Sequence, residues 1–183
     1  MKQIFCLIFL LMEPWFVLQQ DQQSTNVCRP AVKYDRDADM TTVRCDLIEQ
    51  VMVTGRLMVS ATVVFRGKEP NEESQFWLSL GSYKGGANRR TPPSFKEATT
   101  LYLMADSLRL EVAVKDYSKE LFETNSLLAE EARAKISRED LQKLANARRI
   151  EGKWGSAEFK FSDAALASLK NFISRQVSTA NGR

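Results

Sequence analysis

The sequence predicts an α+β domain in which a curved antiparallel β-sheet is covered by two C-terminal helices. Three observations predict it. Between residues 31 and 136 apolar side chains recur mostly at every second position, the period of strands with one buried face. No stretch of helical period separates these runs, so the strands are expected to follow one another without crossover helices, in an antiparallel sheet. After Ser137 the apolar spacing changes to three and four residues, the period of a helix.

Each element has its own signal. Val32-Lys33-Tyr34 and Thr41-Thr42-Val43 read as two strands about an Asp-rich turn. In Arg56 to Phe65, the side chains Leu57, Val59, Ala61, Val63 and Phe65 fall on one side, opposite Arg56, Met58, Ser60 and Thr62. Phe76 to Leu80 and Thr99 to Met104 are further strand-like runs. Leu108, Leu110, Val112 and Val114 alternate with Arg109, Glu111 and other polar or small residues up to Lys115. Ala132, Ala134 and Ile136 do so with Glu131, Arg133 and Lys135. Ser137 is placed to cap a short helix with Asp140 in its first turn and Leu141, Leu144 and Ala145 on one stripe. Two short strands, Arg149 to Lys153 and Ala157 to Phe161, join across Trp154-Gly155-Ser156. Ser162 then caps a longer helix whose apolar stripe is Ala165, Leu166, Leu169, Phe172, Ile173 and Val177. Asp163 at its start and Lys170 and Arg175 further along agree with the helix dipole. That stripe is expected to close the sheet. Residues 31–177 therefore read as one domain, and residues 178–183 as a disordered tail.

The amino terminus predicts a compartment. Met1-Lys2 precedes an apolar run from Ile4 to Met12, which Glu13 and Pro14 interrupt. The run is too short for a spanning helix, which needs about 20 residues. It matches the core of a secretory signal peptide over residues 1–20, followed by a flexible segment over 21–30. Removing the signal takes Cys6 with it and leaves Cys28 and Cys45. Two cysteines in an exported chain are expected to pair, and this bridge would hold the first hairpin. A redox-active dithiol needs a tight Cys-x-x-Cys spacing, which is absent.

Composition excludes several chemistries. Lys plus Arg number 26 against 23 Asp plus Glu, a balance too even for the basic patch of a nucleic-acid binder. The chain has no histidine, so Ser-His-Asp, Cys-His and His-zinc sites are ruled out. Asp35, Asp37 and Asp39 open like a calcium loop, but Met40 stands where such a loop needs glycine and Asp46 where it needs glutamate. They read as a hairpin turn. The segment from Ser82 to Ser94 carries Lys84, Arg89 and Arg90 among turn formers, without the phosphate-loop spacing of glycines and lysine. These three cations are the binding residues the sequence offers, for a protein or an anionic surface, and Pro92-Pro93 would stiffen the loop. Gly152-Lys153-Trp154 is similar to the Gly-x-Trp of lipocalins, but it sits near the chain's end, so Trp154 reads as a core or hairpin aromatic. Glu130-Glu131, Glu151 and Glu158 supply carboxylates, yet an acid pair depends on spatial separation that a sequence does not carry. Ser82-Tyr83-Lys84 and Ser94-Phe95-Lys96 are each one residue short of the Ser-x-x-Lys nucleophile. No catalytic residue, cofactor motif or metal site emerges.

Two stretches taken together resemble a family: Tyr34 to Arg44, and Ile136 to Ala147 with Ile150 to Asp163 and the spacing Leu166, Leu169, Phe172. They are similar to uncharacterised exported bacterial proteins whose small α+β domain ends in a helix, a hairpin and a second helix. That resemblance implies a fold and no activity. The expectation is an exported, non-catalytic binding or envelope accessory protein. Two alternatives stand beside it: a carboxylate-based hydrolase without histidine, and a carrier of an apolar small molecule with a cavity in place of packed Phe159, Phe161 and Phe172.

Overall fold

The computed structural model describes residues 28–52, 55–93 and 95–178. The expected signal peptide and residues 179–183 of the expected tail lie outside them. Nine strands and two helices follow in order: β1 (Ala31–Asp35), β2 (Met40–Met52), β3 (Gly55–Arg66), β4 (Gln75–Lys84), β5 (Thr100–Ala105), β6 (Leu108–Phe122), β7 (Leu127–Ile136), α1 (Arg138–Asn146), β8 (Ile150–Trp154), β9 (Ala157–Lys160) and α2 (Asp163–Ser178).

The α+β class is corrected here. Of the described residues 54% are strand and 18% helical, a mostly β structure in which nine antiparallel strands curl into a half-barrel with two short helices. The sheet is longer than its apolar pattern because hydrogen-bonded neighbours, not buried side chains, extend two strands. β2 runs on to Met52 through a register shift between Asp46 and Ile48, and β6 runs on to Phe122 through another between Val114 and Asp116. Each bulge puts one extra residue into its strand and breaks the two-residue period. Beyond the second bulge Lys115 to Glu120 are exposed apart from the half-buried Tyr117, so hydropathy carries little signal there.

The strand order is β1-β2-β3-β4-β7-β6-β5-β8-β9. Strands β1 to β4 form a meander. The chain then passes β7 and β6 to start β5, returns through β6 and β7 to pair with β4, and leaves by α1 to β8 and β9. The bulges add local twist and bend the sheet. α2 leads back from β9 and packs against β2 and α1. Its buried Leu169, Phe172 and Ile173 share a core with Leu57, Leu80 and Trp154. The predicted caps are in place: Asp140 N donates to Ser137 Oγ at 3.0 Å, and Ala165 N to Ser162 Oγ at 3.2 Å.

The β4–β5 connection is a strap fixed at several points along its length. Ala87 N donates to the Ser126 carbonyl at 2.7 Å. Phe95 is buried, its ring stacked on Trp154 with centroids 4.0 Å apart, and its N–H donates to Glu130 Oε1 at 3.1 Å. Trp154 Nε1 donates to the Ala98 carbonyl at 2.9 Å. Trp154 is therefore a core aromatic, as expected. Cys28 and Cys45 form the expected disulfide, with Cα atoms 5.6 Å apart.

Candidate functional site

A groove of about 720 Å³ opens on the β5-β8-β9 flank, within the range of small-ligand sites. Its position follows from strand alternation. In β5, Leu101, Leu103 and Ala105 are buried, which turns Tyr102 and Met104 outward, 40% and 43% exposed. These two line the groove with the charged side chains of neighbouring strands: Arg109 of β6, Glu151 and Lys153 of β8, and Glu158 and Lys160 of β9. Leu103, Gly152 and Phe159 also contribute. Gln50 of β2 completes it, so the curl of the sheet brings the two flanks toward each other.

Gly152 is required by its partner across the hairpin. A Cβ built there would lie 2.1 Å from Phe159 Cζ, because the ring occupies the space a side chain would fill. The charges of the groove are mostly matched. Arg109 lies 5.8 Å from the Tyr102 ring centroid and 2.9 Å from Glu111. Glu151 accepts from Arg149 at 2.5 Å, and Glu158 from Lys153 at 3.0 Å. The lining thus presents two exposed apolar side chains bracketed by three cations and two carboxylates. Such an arrangement can hold an elongated molecule with an apolar body and charged ends.

The residues singled out from the sequence lie elsewhere. Lys84 ends β4, where it is half-buried and engaged by a neighbour. Arg89 Nε donates to Glu123 Oε1 at 2.7 Å, a brace between the strap and the turn after β6. Arg90 is exposed, its backbone N–H donating to Asn88 Oδ1 at 2.9 Å. None of the three lines the groove. The aspartates hold a turn: Asp35 Oδ1 accepts from Asp37 N and Ala38 N at 3.0 and 3.1 Å, and Asp39 Oδ1 accepts from the Tyr34 hydroxyl at 2.9 Å. Asp39 sits at φ 51°, a conformation aspartate tolerates. Among the described residues no three ligating side chains are grouped as a metal site.

Glu130 and Glu131, neighbours in sequence, point to opposite faces of β7. Glu131 lies 3.8 Å from Arg133 and 4.0 Å from Arg44 on the solvent side. Glu130 is 2% exposed and accepts from both Phe95 N and the Tyr117 hydroxyl, the latter at 3.0 Å. Burial, then that hydrogen bond to a carboxylate, push the Tyr117 hydroxyl up to about 12. The Tyr34 hydroxyl is raised for a related reason, its hydrogen bond to Asp39. In the cap of α1, the Ser137 hydroxyl holds the Asp140 carboxyl below its ordinary value. Phe159, Phe161 and Phe172 are all buried in the core.

One signal of the groove was present in the sequence. Leu101-Tyr102-Leu103-Met104 is apolar on both strand faces, where a solvent-facing strand normally alternates with polar residues. No family model, curated protein or solved structure matches this chain.

Proposed function

We propose that this chain is exported and works as a binding protein, taking an elongated ligand with an apolar body and charged ends into the β5-β8-β9 groove. The observation that carries the reading is the exposure of Tyr102 and Met104 side by side on the floor of a ligand-sized hollow rimmed by both signs of charge. Apolar contact supplies the affinity. The rim ion pairs are solvent-exposed, where each contributes only about 0–1 kcal/mol, so they can exchange partners with a ligand's charges at small cost. Disulfides persist in oxidising compartments, and Cys28–Cys45 therefore supports export. The buried phenylalanines favour this surface groove over an internal carrier cavity. The carboxylates of the groove serve here as recognition groups, since Glu151 and Glu158 are each engaged by a cation.

Methyl-labelled methionine makes the test direct, because Met104 reports on the floor. Titrating the protein with a set of amphiphiles and short peptides is expected to move the Met104 resonance, and a Tyr102→Ala, Met104→Glu variant is expected to lose the binding while keeping its melting temperature. Ligands that bind parent and variant equally would refute the groove as the site. Export is checked separately, by the intact mass and cellular fraction of the mature protein; Met1 retained on a cytosolic product would refute it.

A further inference from the structure

β1 is the outermost strand of its flank, hydrogen-bonded to β2 on one side, with its other edge open among the described residues. All five of its residues are exposed. Val32 is 67% exposed and Tyr34 39%, although each stands opposite a residue of the buried face, Val43 and Thr41. The strand adds no buried side chain of its own, yet it is fastened at both ends. The Cys28–Cys45 disulfide ties its entrance to β2, and Cys28 N donates to Ser168 Oγ of α2 at 3.0 Å. At its exit the Asp35 and Asp39 hydrogen bonds lock the turn, and Gly67 N donates to the Asp39 carbonyl at 2.9 Å. A strand held rigid with one open edge is ordered in advance for another strand to pair with it.

The side chains of β1 indicate which strand fits. Open edges are commonly guarded by lysine, and Lys33 sits in the middle of this one. It has no bonded partner among the described residues. Asp35 lies two residues on, pointing to the same face. When two such strands pair antiparallel with Tyr34 opposite its own copy, Lys33 of each chain faces Asp35 of the other, and the guard becomes a matched pair made twice. Centring the pairing on Lys33 would instead set like charges opposite each other.

We propose that β1 is a self-association edge: two copies pair through it about a two-fold axis at Tyr34, joining their half-barrels into one continuous sheet. The contact is isologous and uses up the open β1 edges, so assembly through it stops at two. One five-residue strand per chain buries far less than the roughly 1,200–2,000 Å² of standard interfaces, so the dimer is weak and concentration-dependent.

Sedimentation of the full disulfide-bonded chain, from about 10 μM to about 1 mM, tests this directly. A monomer–dimer equilibrium is expected. Lys33→Glu and Asp35→Lys are each expected to weaken it roughly tenfold or more, since each turns two matched pairs into two like-charge pairs. Mixing the two variants is expected to restore association as a heterodimer, because the introduced glutamate of one chain then meets the introduced lysine of the other, while the retained Lys33 and Asp35 meet each other. Far-UV circular dichroism checks that the hairpin persists in K33E, where the parent Lys33 side chain has no bonded partner among the described residues, and in D35K, which also gives up the Asp35 Oδ1 bonds to Asp37 N and Ala38 N. A monomer at every concentration, a K33E protein that dimerises like the parent, or a mixture no tighter than its components would each overturn the proposal.

Discussion

The buried Glu130 carboxylate is the anchor of the strap, and replacing it should release that segment. In Glu130→Ala the Phe95 N–H and the Tyr117 hydroxyl lose their common acceptor at 3.1 and 3.0 Å. Hydrogen bonds to a charged group contribute about 1.5–3 kcal/mol each, and a buried donor left unpaired costs about 1–3 kcal/mol. Tyr117 is only half-buried and can turn its hydroxyl to water, so most of the loss falls on Phe95 N. The sum for E130A is about 3–4 kcal/mol. Glu130→Gln keeps an acceptor oxygen in place and loses only the charge, which should cost about 1–2 kcal/mol. For a chain of this size each kcal/mol moves the melting temperature by about 2–4 °C, so E130A should melt about 6–16 °C lower and E130Q about 2–8 °C lower. The assay is thermal and urea unfolding of parent, E130Q and E130A, with near-ultraviolet circular dichroism reporting the Phe95–Trp154 stack. A loss below about 1 kcal/mol in E130A, or equal losses in both variants, would refute the anchoring role.

The raised Tyr117 hydroxyl predicts an alkaline weakness. The folded protein holds it up to about 12 whereas the unfolded chain ionises near 10.0, so its contribution to stability is present below pH 10 and is lost as pH rises toward 12. Tyr117→Phe should flatten this limb of the stability profile, and an unchanged slope would count against it. Replacing Cys28 and Cys45 by serine should cost about 3 kcal/mol on the chain-entropy estimate for a separation of 17 residues, read as a lower urea midpoint that reductant reproduces in the parent. Gly152→Ala should destabilise by about 1–3 kcal/mol because the new methyl meets the Phe159 ring, and Phe159→Leu in the same chain should recover part of the loss. Ser137→Ala should cost about 1 kcal/mol by removing the acceptor for Asp140 N, and an unchanged melting temperature would show that the cap is dispensable.

Much of this fold was written into local sequence. Alternation marked Leu57 to Phe65 and Ala132 to Ile136 as strands with one buried face, and those residues are buried as the pattern requires. Serine followed by a helical stripe located both helices, because a cap and a 3.6-residue period are properties of neighbouring residues. The cysteine pair was legible from the cysteine count together with the expectation that Cys6 leaves with a signal peptide, and the Cys28–Cys45 bond is present. Tertiary structure alone decided the rest. The fold class turned on strands such as the second half of β6, which hydrogen bonds from β7 maintain without a buried stripe. The order β4-β7-β6-β5 set Glu130 under Phe95, 35 residues away in sequence, making its carboxylate an internal anchor. The groove gathers Gln50 with residues more than fifty positions later, and only the curl of the sheet brings such distant strands together. Periodicity records which face of an element is wet; it does not record which elements become neighbours, and both the anchor and the groove depend on that.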